Sequence, residues 1–183
     1  MAKYYDLKED EVILTEVTST EQLTKAWNSM GTVDGKKVNI ATVVINTHAN
    51  AEVLGFGNQN TMSADDISKL DNKNVGKLVL YGCNAGHLNY KDDNPAAGFA
   101  KKVNGAPVLA SDGTVSNGRP RIFNIFGAYV YESKNDDAFK DQIPKGTRDN
   151  KGWVTYKYKD DKITTSASLG KKLTLSQMLD KMK

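Results

Sequence analysis

A single cysteine, Cys83, occurs in the 183 residues. An internal disulfide is therefore impossible, a cysteine-based zinc cluster lacks ligands, and no second thiol could resolve a mixed disulfide, which argues against a disulfide redox enzyme. Histidine is nearly as scarce, with two residues, His48 and His87. No apolar run approaches the roughly 18 residues that a bilayer-spanning helix needs. The longest, around Val38 to Ile45, is broken by Asn39 and Thr42. Met1-Ala2-Lys3-Tyr4-Tyr5-Asp6 runs directly into Lys8-Glu9-Asp10-Glu11, leaving no apolar core for a secretory signal, so the chain as given is expected in the cytoplasm, with export as an effector left open. Charge of one sign is also lacking: Lys plus Arg number 25 and Asp plus Glu 22, a net +3, well short of a nucleic-acid-binding footprint. The lysines near the C-terminal end are interleaved with Asp160, Asp161 and Asp180, as in a solvated surface.

Apolar side chains make up 39%, and the 15 glycines bring the apolar share to about 47%, inside the range of about 45–50% for globular proteins. The length suits one domain, residues 1–183, with a core over about 11–131 and C-terminal edge strands and a closing helix over about 132–183. Glu11–Val17 reads as a strand, and Thr18-Ser19-Thr20-Glu21 then offers caps to a helix with Leu23, Ala26, Trp27 and Met30 on one face. Val38–Asn46 is apolar on both faces, as expected for the middle of a sheet covered by helices. Residues 52–60 suggest a small hairpin or irregular loop, and Ser63 caps a short helix through Ile67 and Leu70. Lys77–Tyr81 and Ala106–Ser111 are further strands, separated by a helix from about Pro95 to Val103. Such alternation predicts an α/β fold: a three-layer sandwich whose central sheet is mostly parallel, with helices on both faces. Arg121–Tyr131 and Trp153–Tyr158 alternate like antiparallel additions at the sheet edge, the polar stretch Ser133–Gly152 reads as a surface loop, and Leu173 to Met182 as a closing amphipathic helix.

Ligands of parallel α/β sheets bind at the carboxyl ends of the strands. Two consecutive core strands end in His48 and Cys83, one crossover apart. That spacing can bring an imidazole and a thiol into one cleft, where the base takes the thiol proton and later protonates a leaving amine. Gly82 and Gly86 permit a tight turn, and backbone amides at Cys83 and at Ala49 or Asn50 could bind an oxyanion. Spacing alone favours the plainer reading, a cysteine packed at a strand end beside a satisfied histidine. His87 is a rival base without the strand-end position. No tight metal-ligand spacing is present, and Gly113–Gly118 has the composition of a phosphate loop without its lysine, so a flexible turn suffices there. No cofactor or metal is expected.

The run Ile45-Asn46-Thr47-His48-Ala49-Asn50, a crossover, then Leu78-Val79-Leu80-Tyr81-Gly82-Cys83-Asn84-Ala85-Gly86 resembles the caspase-like (clan CD) cysteine peptidases. The likeness is closest to bacterial members of the clostripain, gingipain, CHAT and toxin self-processing type, and covers about residues 11–131. It implies His48 as general acid/base, Cys83 as nucleophile and an oxyanion hole of backbone amides at Cys83 and just after His48. It further implies Tyr81 in the specificity-pocket wall, completed by Thr18, Ser19, Ser111 and Asp112; an inward Asp112 would select a basic residue before the cleaved bond. The family usually has glycine where this chain has Ala49. The function expected is cysteine endopeptidase activity on a peptide or protein substrate, possible self-processing included, with cleavage in the Ser133–Gly152 loop. The alternative, for which Ala49 speaks, is an idle binding module or an effector- or toxin-associated domain on the same fold.

Overall fold

The apolar runs that end before His48, at Tyr81 and at Ser111 lie side by side and parallel. In the computed structural model, which describes residues 13–57, 60–117, 128–131 and 150–182, the chain opens with α1 (Thr20–Ser29) and a hairpin of β1 (Thr32–Val33) and β2 (Lys36–Lys37). It continues through β3 (Ile40–Asn46), β4 (His48–Ala49), β5 (Val53–Gly55), β6 (Thr61–Ser63), α2 (Ala64–Ser68), β7 (Val75–Tyr81), α3 (Pro95–Ala100), β8 (Val108–Ser111) and β9 (Thr114–Asn117). The last elements are β10 (Ala128–Tyr131), β11 (Trp153–Lys159), β12 (Lys162–Ser166), β13 (Lys172–Leu173) and α4 (Leu175–Lys181). The main sheet is mixed, in the order β12-β11-β8-β7-β3. β3, β7 and β8 are parallel; β11 adds antiparallel to β8, and β12 to β11.

Side chains alternate across this sheet, and the two faces carry different covers. On the first, Leu78, Leu80, Val108, Ala110, Val154 and Tyr156 pack with Leu23 and Trp27 of α1, Ile67 of α2 and Phe99 of α3. On the second, Val79, Leu109 and Trp153 pack with Leu173, Met178 and Met182 around α4. Trp27 anchors the first face: its ring lies 5.0 Å from that of Phe99, and its indole N–H donates to the Asp71 carbonyl at 2.8 Å, so its buried polar atom is satisfied.

Several expectations from the sequence are corrected here. Of the expected first strand Glu11–Val17, Glu11 and Val12 lie outside the described residues, and Ile13–Val17 is irregular, with Ile13 70% and Leu14 76% exposed. A β-branched run has strand propensity but forms a strand only when another edge pairs with it. Trp153–Lys159 does join the edge of the parallel strands, but Ala128–Tyr131 instead forms a separate three-stranded sheet between β13 and β9. Residues 121–127 lie outside the described part, as do residues 132–149 of the proposed surface loop; its end, Asn150 and Gly152, is buried. Thr114–Asn117, read as part of a flexible turn, is a strand, because β10 supplies it with a partner. No helix among the described residues is long and apolar enough to cross a membrane.

The short α2 depends on its first turn. The Ser63 hydroxyl accepts from the Asp66 amide at 3.2 Å, while Asp66 Oδ2 accepts from the Ser63 amide at 3.1 Å, a reciprocal cap. The Lys69 ammonium on Asp66 Oδ1, followed by the Ser63 hydroxyl and amide, holds the Asp66 carboxyl down to about 2. Because the folded value lies below the unfolded one, this stabilisation is complete above about pH 4 and is lost as pH falls through about 2. The Asp66 side chain is 46% exposed, so solvent screening limits the effect. Asp66→Ala is expected to cost about 1 kcal/mol at pH 7 in urea unfolding, with the difference from wild type shrinking towards zero near pH 2.

Candidate active site

β3 and β7 are paired in a constant register, from Ile40 opposite Val75 to Asn46 opposite Tyr81, each partner 35 positions further along. The pairing continues one step past the strands, where the Thr47 amide donates to the Tyr81 carbonyl at 3.3 Å. His48 and Cys83 each follow two residues after the last paired positions, Asn46 and Tyr81, with Cys83 already in the turn that leaves β7. Adjacent strands run about 4.8 Å apart, so the two backbones are neighbours at the carboxyl edge of the sheet. Gly82 makes this approach possible: a Cβ built there would lie 2.8 Å from both the Thr47 carbonyl oxygen and the Ala49 Cβ.

Ile45 and Ala49 pack with the first cluster, so alternation turns His48 to the second. Tyr81 packs with the second cluster, and the Cys83 thiol, two residues on, donates to the carbonyl of Val115, another member of that cluster, at 3.9 Å. His48 is exposed above Gly55, its partner across the β4–β5 pair, where a built Cβ would lie 3.6 Å from His48 Cβ. Cys83 is partly buried.

The turn after β7 is tied at almost every residue. The Ser111 hydroxyl donates to the Gly82 carbonyl, the Asn84 amide to the Gly113 carbonyl at 2.8 Å and the Gly86 amide to the Ser111 carbonyl at 2.9 Å. The Tyr156 hydroxyl donates to the Gly86 carbonyl at 2.9 Å and accepts from Asn94 Nδ2 at 2.9 Å. Asn84 takes the left-handed conformation, φ 56°, that sends the chain sharply out of the strand and that asparagine tolerates better than most residues. These bonds fix the backbone of the turn that carries Cys83.

Of the three backbone donors proposed for an oxyanion, Asn50's is committed: it donates to the Val53 carbonyl at 3.0 Å, closing the β4–β5 turn. That bond makes Asn50 and Val53 a hydrogen-bonded pair, so Ala49, one residue back, turns its amide away from β5. It faces Gly82, whose built Cβ lies 3.7 Å from the Ala49 nitrogen. The Cys83 amide donates to no backbone carbonyl among the described residues.

The proposed pocket residues fare differently. Tyr81 packs with the second cluster, its ring 5.6 Å from that of Trp153. Ser111 is fully buried, its hydroxyl holding Gly82. Asp112 is 1% exposed; its Oδ1 accepts from the Leu88 amide and its Oδ2 from the Lys151 amide, each at 2.9 Å. Both carboxylate oxygens therefore hold the main chain. Thr18 and Ser19 serve the start of α1: Ser19 accepts from the Gln22 amide at 3.2 Å, and Thr18 donates to Gln22 Oε1 from both its amide and its hydroxyl.

His87 is buried, with Nδ1 accepting from the Asn89 amide at 3.2 Å to cap the turn Leu88–Tyr90 and its ring edge-on to Tyr90 at 5.4 Å. Two hollows lie away from the dyad. One of about 320 Å³ is bordered by Asp92, Lys101, Tyr158 and Asp161, and one of about 520 Å³ by Thr20, Lys25, Met62 and Asp66; neither pairs a nucleophile with a base. Sequence reasoning missed Val115, whose carbonyl receives the thiol, and Tyr156 and Asn94, which fix the turn. Thr114-Val115 carried a β-branched signal; nothing in the pattern around Tyr156 marks its hydroxyl as a brace. No family model, curated protein or solved structure matches this chain.

Proposed function

We propose that the chain is a cysteine peptidase of caspase-like layering, in which His48 and Cys83 act as a catalytic dyad. The observation that supports this reading is the parallel pairing of β3 with β7, which ends two residues short of both His48 and Cys83. The thiol turns from the Val115 carbonyl towards the imidazole and gives up its proton to it, and the sulfur attacks the scissile carbonyl carbon. The Ala49 and Cys83 amides receive the charge that develops on the carbonyl oxygen. His48 then protonates the departing amine as the C–N bond breaks, leaving a thioester. Water, giving a proton to His48, cleaves the thioester, and the proton returns to the thiolate.

Tyr81 lines the approach to the sulfur, and Asp112 acts by holding the main chain rather than by meeting substrate. A second reading, a binding module with an idle thiol, draws on the thiol's bond to Val115 and on the Ala49 methyl beside Gly82. An effector or toxin-associated domain that cuts its own chain is the form the first reading takes where the substrate is tethered. Incubation with a mixed peptide library separates these: new termini made by wild type and missing with Cys83→Ala support the peptidase, whereas bound but uncut peptides support the module.

A further inference from the structure

We infer that Thr47 is the positioning residue of the proposed dyad: its hydroxyl, bonded to the Gly55 carbonyl, fixes the backbone from which His48 reaches the thiol. The inference rests on the dyad reading and supplies the group that orients its base. In a nucleophile–base pair a third group ordinarily holds the base in place. His48 is exposed, and its ring makes no hydrogen bond among the described residues. Its place is therefore set by the main chain.

That main chain changes sheets at Thr47. β3 ends at Asn46 in the main sheet, whereas β4, only His48 and Ala49, belongs to the separate sheet β4-β5-β6. Its pairing consists of His48 opposite Gly55 and Ala49 opposite Leu54, a short hold for a strand that carries a base. Thr47 bonds to both sides of the junction. Its amide donates to the Tyr81 carbonyl at 3.3 Å, and its part-buried hydroxyl donates to the Gly55 carbonyl at 2.5 Å. Its own carbonyl lies against Gly82, where a built Cβ would come within 2.8 Å of the oxygen.

One residue thus ties Gly55, opposite His48, to Tyr81 and Gly82, which precede Cys83. Gly55 is also the residue against which His48 rests, a built Cβ there lying 3.6 Å from His48 Cβ and 3.8 Å from its carbonyl oxygen. Without the hydroxyl bond, β4 and β5 can shift together relative to β7 and carry His48 with them. A displacement of about 1 Å at a reacting group can cost on the order of 100-fold in rate. A single bond at the junction therefore governs reactivity more than stability.

The test measures native Cys83 alkylation by iodoacetamide at pH 7 in the full chain, with the unfolding midpoint of each variant as the check on folding. Thr47→Val keeps the β-branched shape and loses the bond; Thr47→Ser keeps the bond. Thr47→Val is expected to slow alkylation at least about fivefold, towards the His48→Ala rate, and Thr47→Ser to stay within about twofold of wild type. In the His48→Ala background Thr47→Val should make no further difference, because its effect passes through His48. Should Thr47→Val fail to fold, Thr47→Ala, which sets no methyl group against the Gly55 carbonyl, gives the same comparison. Alkylation of Thr47→Val at the wild-type rate, with His48→Ala slow, overturns the positioning role and leaves the dyad standing. Equal slowing in both backgrounds also overturns it, assigning Thr47 to the Cys83 turn. Equal rates in wild type and His48→Ala overturn the dyad reading, and the role of Thr47 with it.

Discussion

Replacing Cys83 by alanine is expected to remove peptide hydrolysis, lowering kcat/KM by at least about 10⁴-fold. In the proposed mechanism the sulfur carries the acyl group, and His87, the other histidine, is buried and engaged in capping a turn. His48→Ala should fall almost as far, because nucleophile and base act as one unit and their losses do not add. The double variant should therefore be no slower than Cys83→Ala by more than a few-fold. Turnover is read with a peptide found in the library screen, and folding of each variant is checked by its unfolding midpoint. Because His48 is exposed and the Cys83 side chain makes a single weak bond to Val115, neither change should move that midpoint appreciably. A Cys83→Ala protein with undiminished turnover would mean that the cleft works without its thiol.

The second large effect concerns stability rather than rate. Asp112 sits at 1% exposure with one oxygen on the Leu88 amide and the other on the Lys151 amide, while its own amide donates to the Gly152 carbonyl at 2.8 Å. It thus ties the nucleophile turn to the entry of β11. Asp112→Ala leaves the part-buried Leu88 and Lys151 amides without acceptors, at about 1–3 kcal/mol each. A loss of roughly 3–5 kcal/mol follows, a large part of a typical stability of about 5–15 kcal/mol. Asp112→Asn keeps one acceptor but sets an amino group against the other donor, so an intermediate loss is expected. Urea unfolding reads both. If Asp112→Ala instead unfolded at the wild-type midpoint and lost a preference for basic residues at the cleavage point, the specificity role implied by the family resemblance would stand in place of the clamp.

The sequence was most informative where one rule acts alone. Apolar runs of the right length and spacing located β3, β7 and β8, and capping residues located the starts of α1 at Ser19 and α2 at Ser63. It placed His48 and Cys83 at neighbouring strand ends because a parallel register with one crossover leaves little freedom. What it could not specify depended on partners distant in the chain. The propensity of Ile13–Val17 says nothing of whether an edge receives it, and Ala128–Tyr131 was assigned to the wrong sheet because alternation gives a strand its faces but not its neighbour. Asp112 reads as a pocket acid through the family resemblance alone; its contacts to Leu88 and Lys151 come from loops 24 and 39 positions away. The bracing of the turn by Tyr156, 70 positions from Gly86, was illegible for the same reason.

The central claim, that His48 activates Cys83, is tested most directly by the rate of Cys83 alkylation by iodoacetamide at pH 7. The measurement compares native wild type, native His48→Ala and each protein unfolded in urea. Only thiolate reacts appreciably, and Cys83 is the only thiol, so every modification is at the site. The dyad predicts that native wild type reacts at least about tenfold faster than native His48→Ala, and that the two unfolded chains react alike. Equal native rates, with wild type no faster than its own unfolded chain, would contradict it.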